Sequence, residues 1–244
     1  MKISTARIAS LAASLVLFAG LSALGQTSVT LNGVNGSTSA GDLCSTQSGC
    51  AQVYTGQYYA TVNNVANTPI ICDDFNHNVS IGENWQATAI NTSALNSSNI
   101  TGLEFGGLSN APQVYAEVAD LVSEIFTLNN GSAKFAGISG VTGTDLSEAI
   151  WDITTKGGIT GISNNAAALV KYVQSLFGGD TSKQALSYLN SLSLWILTPS
   201  PNNGPQEMWA QSMPEGGAAL MYLLLAALFC GWSFLPRNRE RART

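Results

Sequence analysis

Hydrophobic and polar positions along this chain fall into four regimes. Residues 1–25 set Lys2 and Arg7 ahead of an uncharged apolar run from Ile8 to Leu24 and end on Ala23-Leu24-Gly25. A basic start, an apolar stretch and small residues at the −3 and −1 positions predict a signal peptide cut after Gly25. From Gln26 to about Asn110 the pattern is short, alternating and rich in Ser, Thr, Asn and Gly. It predicts strands at Ser28–Asn32, within Gln52–Asn63, at Thr68–Phe75 and at Trp85–Ile90, with turns at Asn32-Gly33, Asn35-Gly36 and Ile81-Gly82. From Pro112 the period becomes helical. Val114, Tyr115, Val118, Leu121, Val122, Ile125 and Phe126 make one apolar stripe, with Pro112 in its first turn. A Gly-rich loop follows, then Asp145-Leu-Ser-Glu148 as an expected cap, with Leu146, Ala149, Ile150 and Ile153 on the buried face. Asn164 or Asn165 is expected to cap a third helix ending at Gly178-Gly179. Thr181–Leu192 predicts a fourth helix, and Leu194–Thr198 a closing strand.

The last regime is Ala218 to Leu235, 18 residues without a charge, closed by Pro236 and by Arg237, Arg239, Arg241 and Arg243. At a helical rise of 1.5 Å per residue that run covers about 27 Å, close to the hydrocarbon thickness of a bilayer. The arginines predict a single transmembrane helix whose tail stays cytoplasmic. The expected organisation is therefore a signal peptide at 1–25, an exported domain at 26–200, a Pro/Asn/Gly spacer at 201–212 and a membrane segment at 213–244. Strands, then helices, then a strand predict an α+β fold for the exported domain.

Composition sharpens this picture. Only 10% of the 244 residues are charged, while 45% are hydrophobic and the mean hydropathy is +0.15. Much of that apolarity sits in the two ends. Between residues 26 and 213 thirteen acids face four lysines, a formal charge of −9. So acidic a body disfavours nucleic acid as a partner. With His77 as its single histidine, the chain cannot build a site on two histidines, which removes His-rich zinc sites and the two-histidine hydrolase helix.

The candidate chemistry is sparse. Cys44 and Cys50 lie close together in an exported, oxidising setting and are expected to form a local disulfide, two free thiols being the alternative. Cys72, in Ile71-Cys72-Asp73-Asp74-Phe75, reads as a buried thiol whose pKa the neighbouring acids raise. The stretch Asp74-Phe-Asn76-His-Asn78 begins like a calcium loop. It fails at the sixth position, Val79, and at the twelfth, Trp85, where Gly and Glu belong, a calcium site of another type with Asp73 and Asp74 being the alternative. No Gly-x-Ser-x-Gly elbow occurs, and His77 reads as a surface or turn residue. Asp120, Glu124, Glu148 and Asp152 are expected on solvated helix faces, a glycosidase pair among them being the alternative. No catalytic residue, cofactor or metal is expected.

Two family resemblances add to this. Met213-Pro214-Glu215-Gly216-Gly217, then the apolar run, then the arginines resemble the PEP-CTERM sorting signal of Gram-negative bacteria. The resemblance covers about the last 32 residues and departs where Gly216 stands for proline. It implies recognition by the membrane protease exosortase, with cleavage near Pro214. Independently of the family, Pro214 keeps the junction extended, which a protease needs to grip it. Cys230 falls inside the apolar run. The second resemblance is to thioester domains of bacterial surface adhesins, carried by the Cys72 phrase, the Tyr115–Leu121 helix and Leu146-Ser147-Glu148-Ala149-Ile150-Trp151. Those domains join a cysteine to a glutamine. Here Ala149, Ile150 and Trp151 match, but Ser147 occupies the glutamine position, so the resemblance implies the fold without the bond. Cys72 and Ser147 are then inactive counterparts.

Together these features predict a non-enzymatic exported protein with a structural or adhesive role. It would be held in the inner membrane before processing and then placed at the cell surface or released. The expected partners are the export machinery, exosortase, and exopolysaccharide or the envelope. The alternatives are a polysaccharide-active enzyme and a plain membrane-anchored binding module.

Overall fold

The computed structural model describes residues 26–39, 41–128, 135, 137–201 and 204–213. The predicted signal peptide, the motif from Pro214 onward, the apolar run with Cys230 and the arginine tail lie outside the described residues. Among the described residues no helix is long and apolar enough to cross a membrane. The fold is α+β: a six-stranded closed barrel with four helices packed beside it.

The barrel strands are β1 (Gln26–Val34), β4 (Tyr58–Val62), β5 (Val65–Cys72), β6 (Asn84–Asn91), β7 (Trp195–Pro199) and β8 (Met208–Ala210). They run around the barrel as β1-β4-β5-β8-β7-β6, and every pairing is antiparallel. A separate hairpin, β2 (Leu43–Ser45) with β3 (Gly49–Ala51), sets Cys44 opposite Cys50. The period-2 pattern does what it predicts on β1 and β4. Val29, Leu31, Tyr58, Ala60 and Val62 are buried, while Ser28, Thr30, Tyr59 and Thr61 between them are half-exposed. On Ile70–Cys72, on most of β7 and on all of β8, consecutive residues are buried, so both faces of these segments are covered.

Among the described residues four α-helices are inserted between β6 and β7, which are neighbours in the barrel. They are α1 (Ala111–Thr127), α2 (Gly143–Thr154), α3 (Asn164–Phe177) and α4 (Ser182–Ser191), and α1 packs against the other three and against β5. Its apolar stripe is the predicted one, with Tyr115, Val118, Leu121 and Val122 buried, and Pro112 sits in the first turn, where its missing N–H leaves no helical bond unmade.

Several local expectations are corrected. The cap of α2 is Thr142 rather than Asp145: Thr142 Oγ1 accepts from Asp145 N, and the Asp145 carboxylate accepts from Thr142 N at 2.8 Å. A capping box needs its acid three residues inside the helix, the place Asp145 itself takes. Ser163, not Asn164 or Asn165, caps α3 by accepting from Ala166 N. Asn32-Gly33 lies within β1, where the pairing with β4 shifts register, a bulge in place of a turn. The turn is Asn63-Asn64 between β4 and β5, with φ of +50° and +68°, the left-handed region a two-residue hairpin requires and asparagine tolerates. The spacer expectation also fails in part. Met208–Ala210 is a strand that fills the gap between β5 and β7, so the fold extends past residue 200.

Candidate functional site

The ionisable groups of interest gather where β5 ends and β8 begins. Cys72 closes β5, and the next two residues send their carboxylates into different surroundings. Asp73 is fully buried, and its Oδ2 accepts from the indole Nε1 of Trp209 on β8 at 2.6 Å. Glu207, just before β8, is also fully buried. Its Oε1 accepts from Tyr115 Oη of α1 at 2.7 Å, and its Oε2 accepts from Thr198 Oγ1 of β7 and from Glu104 N at 3.1 Å. One carboxylate thus ties α1, β7 and the loop before α1 to the start of β8.

Burial pushes Glu207 up to about 7, although its three donors pull it down. Burial, and then the charge of Glu207, hold Asp73 well above the usual carboxylate range. Asp73 Oδ1 meets no donor from its surroundings. Two desolvated carboxylates that raise one another in this way do not readily both ionise. The group's donors come from the fold: Trp209, Tyr115, Thr198 and the backbone of Glu104.

Asp74 turns the other way. Its Oδ2 lies 2.5 Å from Nδ1 of His77, and its Oδ1 accepts from Asn76 N at 2.8 Å, which curls the backbone into a short turn. Glu104 Oε1 stands 4.0 Å from the same imidazole nitrogen. The Asp74 side chain is 3% exposed, Glu104 18% and His77 38%, so the group is anchored at its base and open at one side. Burial acts to lower the His77 pKa, but the hydrogen bond and charge of Asp74 outweigh it and the net shift is upward. Glu104 is raised by burial and by Asp74, with His77 opposing.

The residues singled out by sequence are placed as follows. Cys44 and Cys50 form the disulfide, in the β2–β3 hairpin. That hairpin leans on the His77 turn through Ser45 Oγ, which donates to Asn76 Oδ1 at 2.9 Å. Cys72 is a buried free thiol; it donates to the Asp74 carbonyl, and burial and then Asp74 and Asp73 push its pKa well up. Ser147 is buried on α2, where its Oγ accepts from Gly56 N at 2.8 Å. Trp151, one turn further along α2, stacks obliquely on Phe75 with ring centroids 5.7 Å apart. The acids assigned to solvated helix faces are mostly used structurally. Glu148 is buried and accepts from Ser163 N, while Asp152 accepts from Ile159 N and Asp120 from the Tyr188 hydroxyl. Met213 packs partly buried against the core; Pro214, Glu215 and Gly216 lie outside the described residues.

A recess of about 210 Å³ sits between β1, the segment before β4 and the N-terminus of α2, lined in part by Asn35, Ser37, Thr55, Thr142 and Thr144. Its walls meet at glycines. A Cβ on Gly36 would fall 1.4 Å from the Thr55 carbonyl oxygen, and Gly143 lies against Gly56. The Thr55 hydroxyl bonds to Thr144 Oγ1 and to the Ser37 carbonyl, so part of the lining is already satisfied from within. Comparison with protein-family models, curated proteins and solved structures finds no match for this chain.

Sequence reasoning missed Glu207, Glu104 and the pairing of His77 with Asp74. Glu207 had one available signal: a lone acid beside Met208-Trp209, two large apolar residues, inside a stretch otherwise rich in Pro and Asn.

Proposed function

We propose that the chain is an exported cell-surface or extracellular-matrix protein of structural or adhesive role, delivered by its N-terminal signal and processed through a PEP-CTERM-type signal beginning at Met213. The observation that carries this reading is the Cys44–Cys50 disulfide in an acidic, charge-poor body set between two apolar address segments. Such a bond persists in oxidising compartments outside the cytoplasm. The Asp73–Glu207 group supports a structural role, since Glu207 joins α1, β7 and the loop before α1 to the start of β8. The adhesin resemblance is supported by position: Phe75, three residues past Cys72, stacks on Trp151 of α2, and Ser147 is one turn away on the same helix.

The test is intact mass of the protein recovered from the membrane, the cell surface and the medium. A mature form starting at Gln26 and ending near Pro214, found outside the inner membrane and dependent on an exosortase, is the expected result. A chain that keeps the segment 218–235 in every fraction would show a plain anchor and overturn the sorting proposal.

A further inference from the structure

The Asp74, His77 and Glu104 group has a property that the surface-protein reading does not use. Its three candidate ligand atoms, two carboxylate oxygens and an imidazole nitrogen, all lie within 4.8 Å of one another. We propose that these three side chains bind one zinc ion, with water filling the remaining position.

Four features argue for an ion. The first is the donor set: an imidazole nitrogen with two carboxylate oxygens suits zinc, whereas calcium takes oxygen ligands. The second is charge. Two carboxylates and a neutral imidazole carry −2, which a divalent ion cancels; among the described residues the basic group within ion-pair reach of an acid is His77 itself. The third is support behind the ligands. Asp74 is held through its Oδ1 by Asn76 N, and its carbonyl accepts from Cys72 Sγ and from Gln206 Nε2 at 2.7 Å, while the Glu104 backbone is fixed by Glu207. Ligands positioned from behind in this way lose little freedom on binding. The fourth is access: His77 and Glu104 form the open side, leaving room for a solvent ligand.

Zinc bonds of about 2.0–2.2 Å in a tetrahedral arrangement set neighbouring ligand atoms about 3.3 Å apart. His77 and Asp74, now 2.5 Å apart, must separate by somewhat under 1 Å, and Glu104, now 4.0 Å from the imidazole, must approach by a similar amount. Both movements are within the reach of half-exposed side chains. From the imidazolium form, the Nδ1 proton held against the Asp74 carboxylate leaves to solvent while Nε2 keeps its own, and the freed Nδ1 lone pair of the neutral ring binds the metal. No oxidation is involved.

The experiment is calorimetric titration of zinc into the untagged, detergent-solubilised full chain, repeated with His77→Ala and Glu104→Gln. The expected result is one zinc per chain, with each substitution weakening binding at least about tenfold. Cobalt should give a visible ligand-field absorption in the wild type that His77→Ala removes. Thermal melting of the variants, each altered at a half-exposed position, controls for folding. Absence of zinc uptake by the wild type overturns the proposal. So does uptake unchanged in both variants, or calcium displacing zinc at equal concentration.

Discussion

Asp73 and Asp74 are adjacent, yet they do opposite things. Asp73 points into the seam between barrel and helices, where burial and the charge of Glu207 raise its pKa and the surrounding donors are neutral N–H and O–H groups. Asp74 points to the rim, where its partner is a titratable imidazole and a second acid stands within reach. Successive residues leaving a strand face opposite sides, so one dipeptide supplies both environments. The lesson is that the number of acids in a segment says little. What decides their chemistry is whether their remaining lone pairs meet fixed donors from the fold or an opening to solvent.

The sharpest way to break this comparison is to remove the inner acid. Glu207→Ala strands the hydroxyls of Tyr115 and Thr198 and the Glu104 N–H in a dry seam. We expect a loss of about 3–5 kcal/mol in denaturant unfolding, since each unpaired buried group costs about 1–3 kcal/mol. Glu207→Gln keeps an acceptor and removes the repulsion with Asp73, so it should cost well under half as much. The matched change at the rim, His77→Ala, removes one partner of Asp74 beside an opening to solvent and should cost about 1 kcal/mol. Equal losses at the two positions would end the distinction.

Next in size is the disulfide. Replacing Cys44 and Cys50 together by serine frees a short loop in the unfolded chain and should cost about 2 kcal/mol. Because Ser45 holds Asn76, the same change should also speed amide exchange of residues 76–79 more than that of β8. Uniform acceleration across both segments would mean that the hairpin does not brace the rim. A smaller effect is expected from Thr198→Val, which keeps shape but deletes one of the three donors to Glu207. A loss of about 1–2 kcal/mol is predicted, measured by the same unfolding experiment.

How much of this was legible depends on the range of the interaction. The four helices and the strands β1 and β6 follow from periodicity, because burying one face is a local pattern repeated along the element. The caps at Thr142 and Ser163 were displaced by a few residues, since Asp145 and Asn164 are equally good cap types and only the chain path chooses among them. β8 was not legible: three residues carry no period, and Met208-Trp209-Ala210 becomes a strand only because β5 and β7 leave a gap it fills. The inner acid cluster was hidden for the same reason, as Asp73 and Glu207 are 134 positions apart in the chain. The Cys44–Cys50 bond was legible because its loop is short. The His77–Asp74 contact is equally local, but three residues in a turn give many geometries, and His77 read as an ordinary surface residue.

Glu117 on α1 provides the finest test, because it is buried as the inner acids are but has nothing except burial acting on it. It is 6% exposed, and desolvation alone raises its pKa to about 7. A carboxyl whose folded pKa exceeds its unfolded value of about 4.3 binds its proton more tightly in the native state. Its contribution is therefore fully present below about pH 4, and it is lost as pH rises toward 7. Glu117→Gln should remove that slope: the variant should match the wild type at pH 4 and exceed it at pH 8. The expected gain is under about 1–2 kcal/mol, because solvent near the carboxyl screens part of the effect. Unfolding curves at pH 4, 6 and 8 decide it. A variant less stable than the wild type at pH 8 would mean that ionised Glu117 has a favourable partner, and that burial without donors does not describe it.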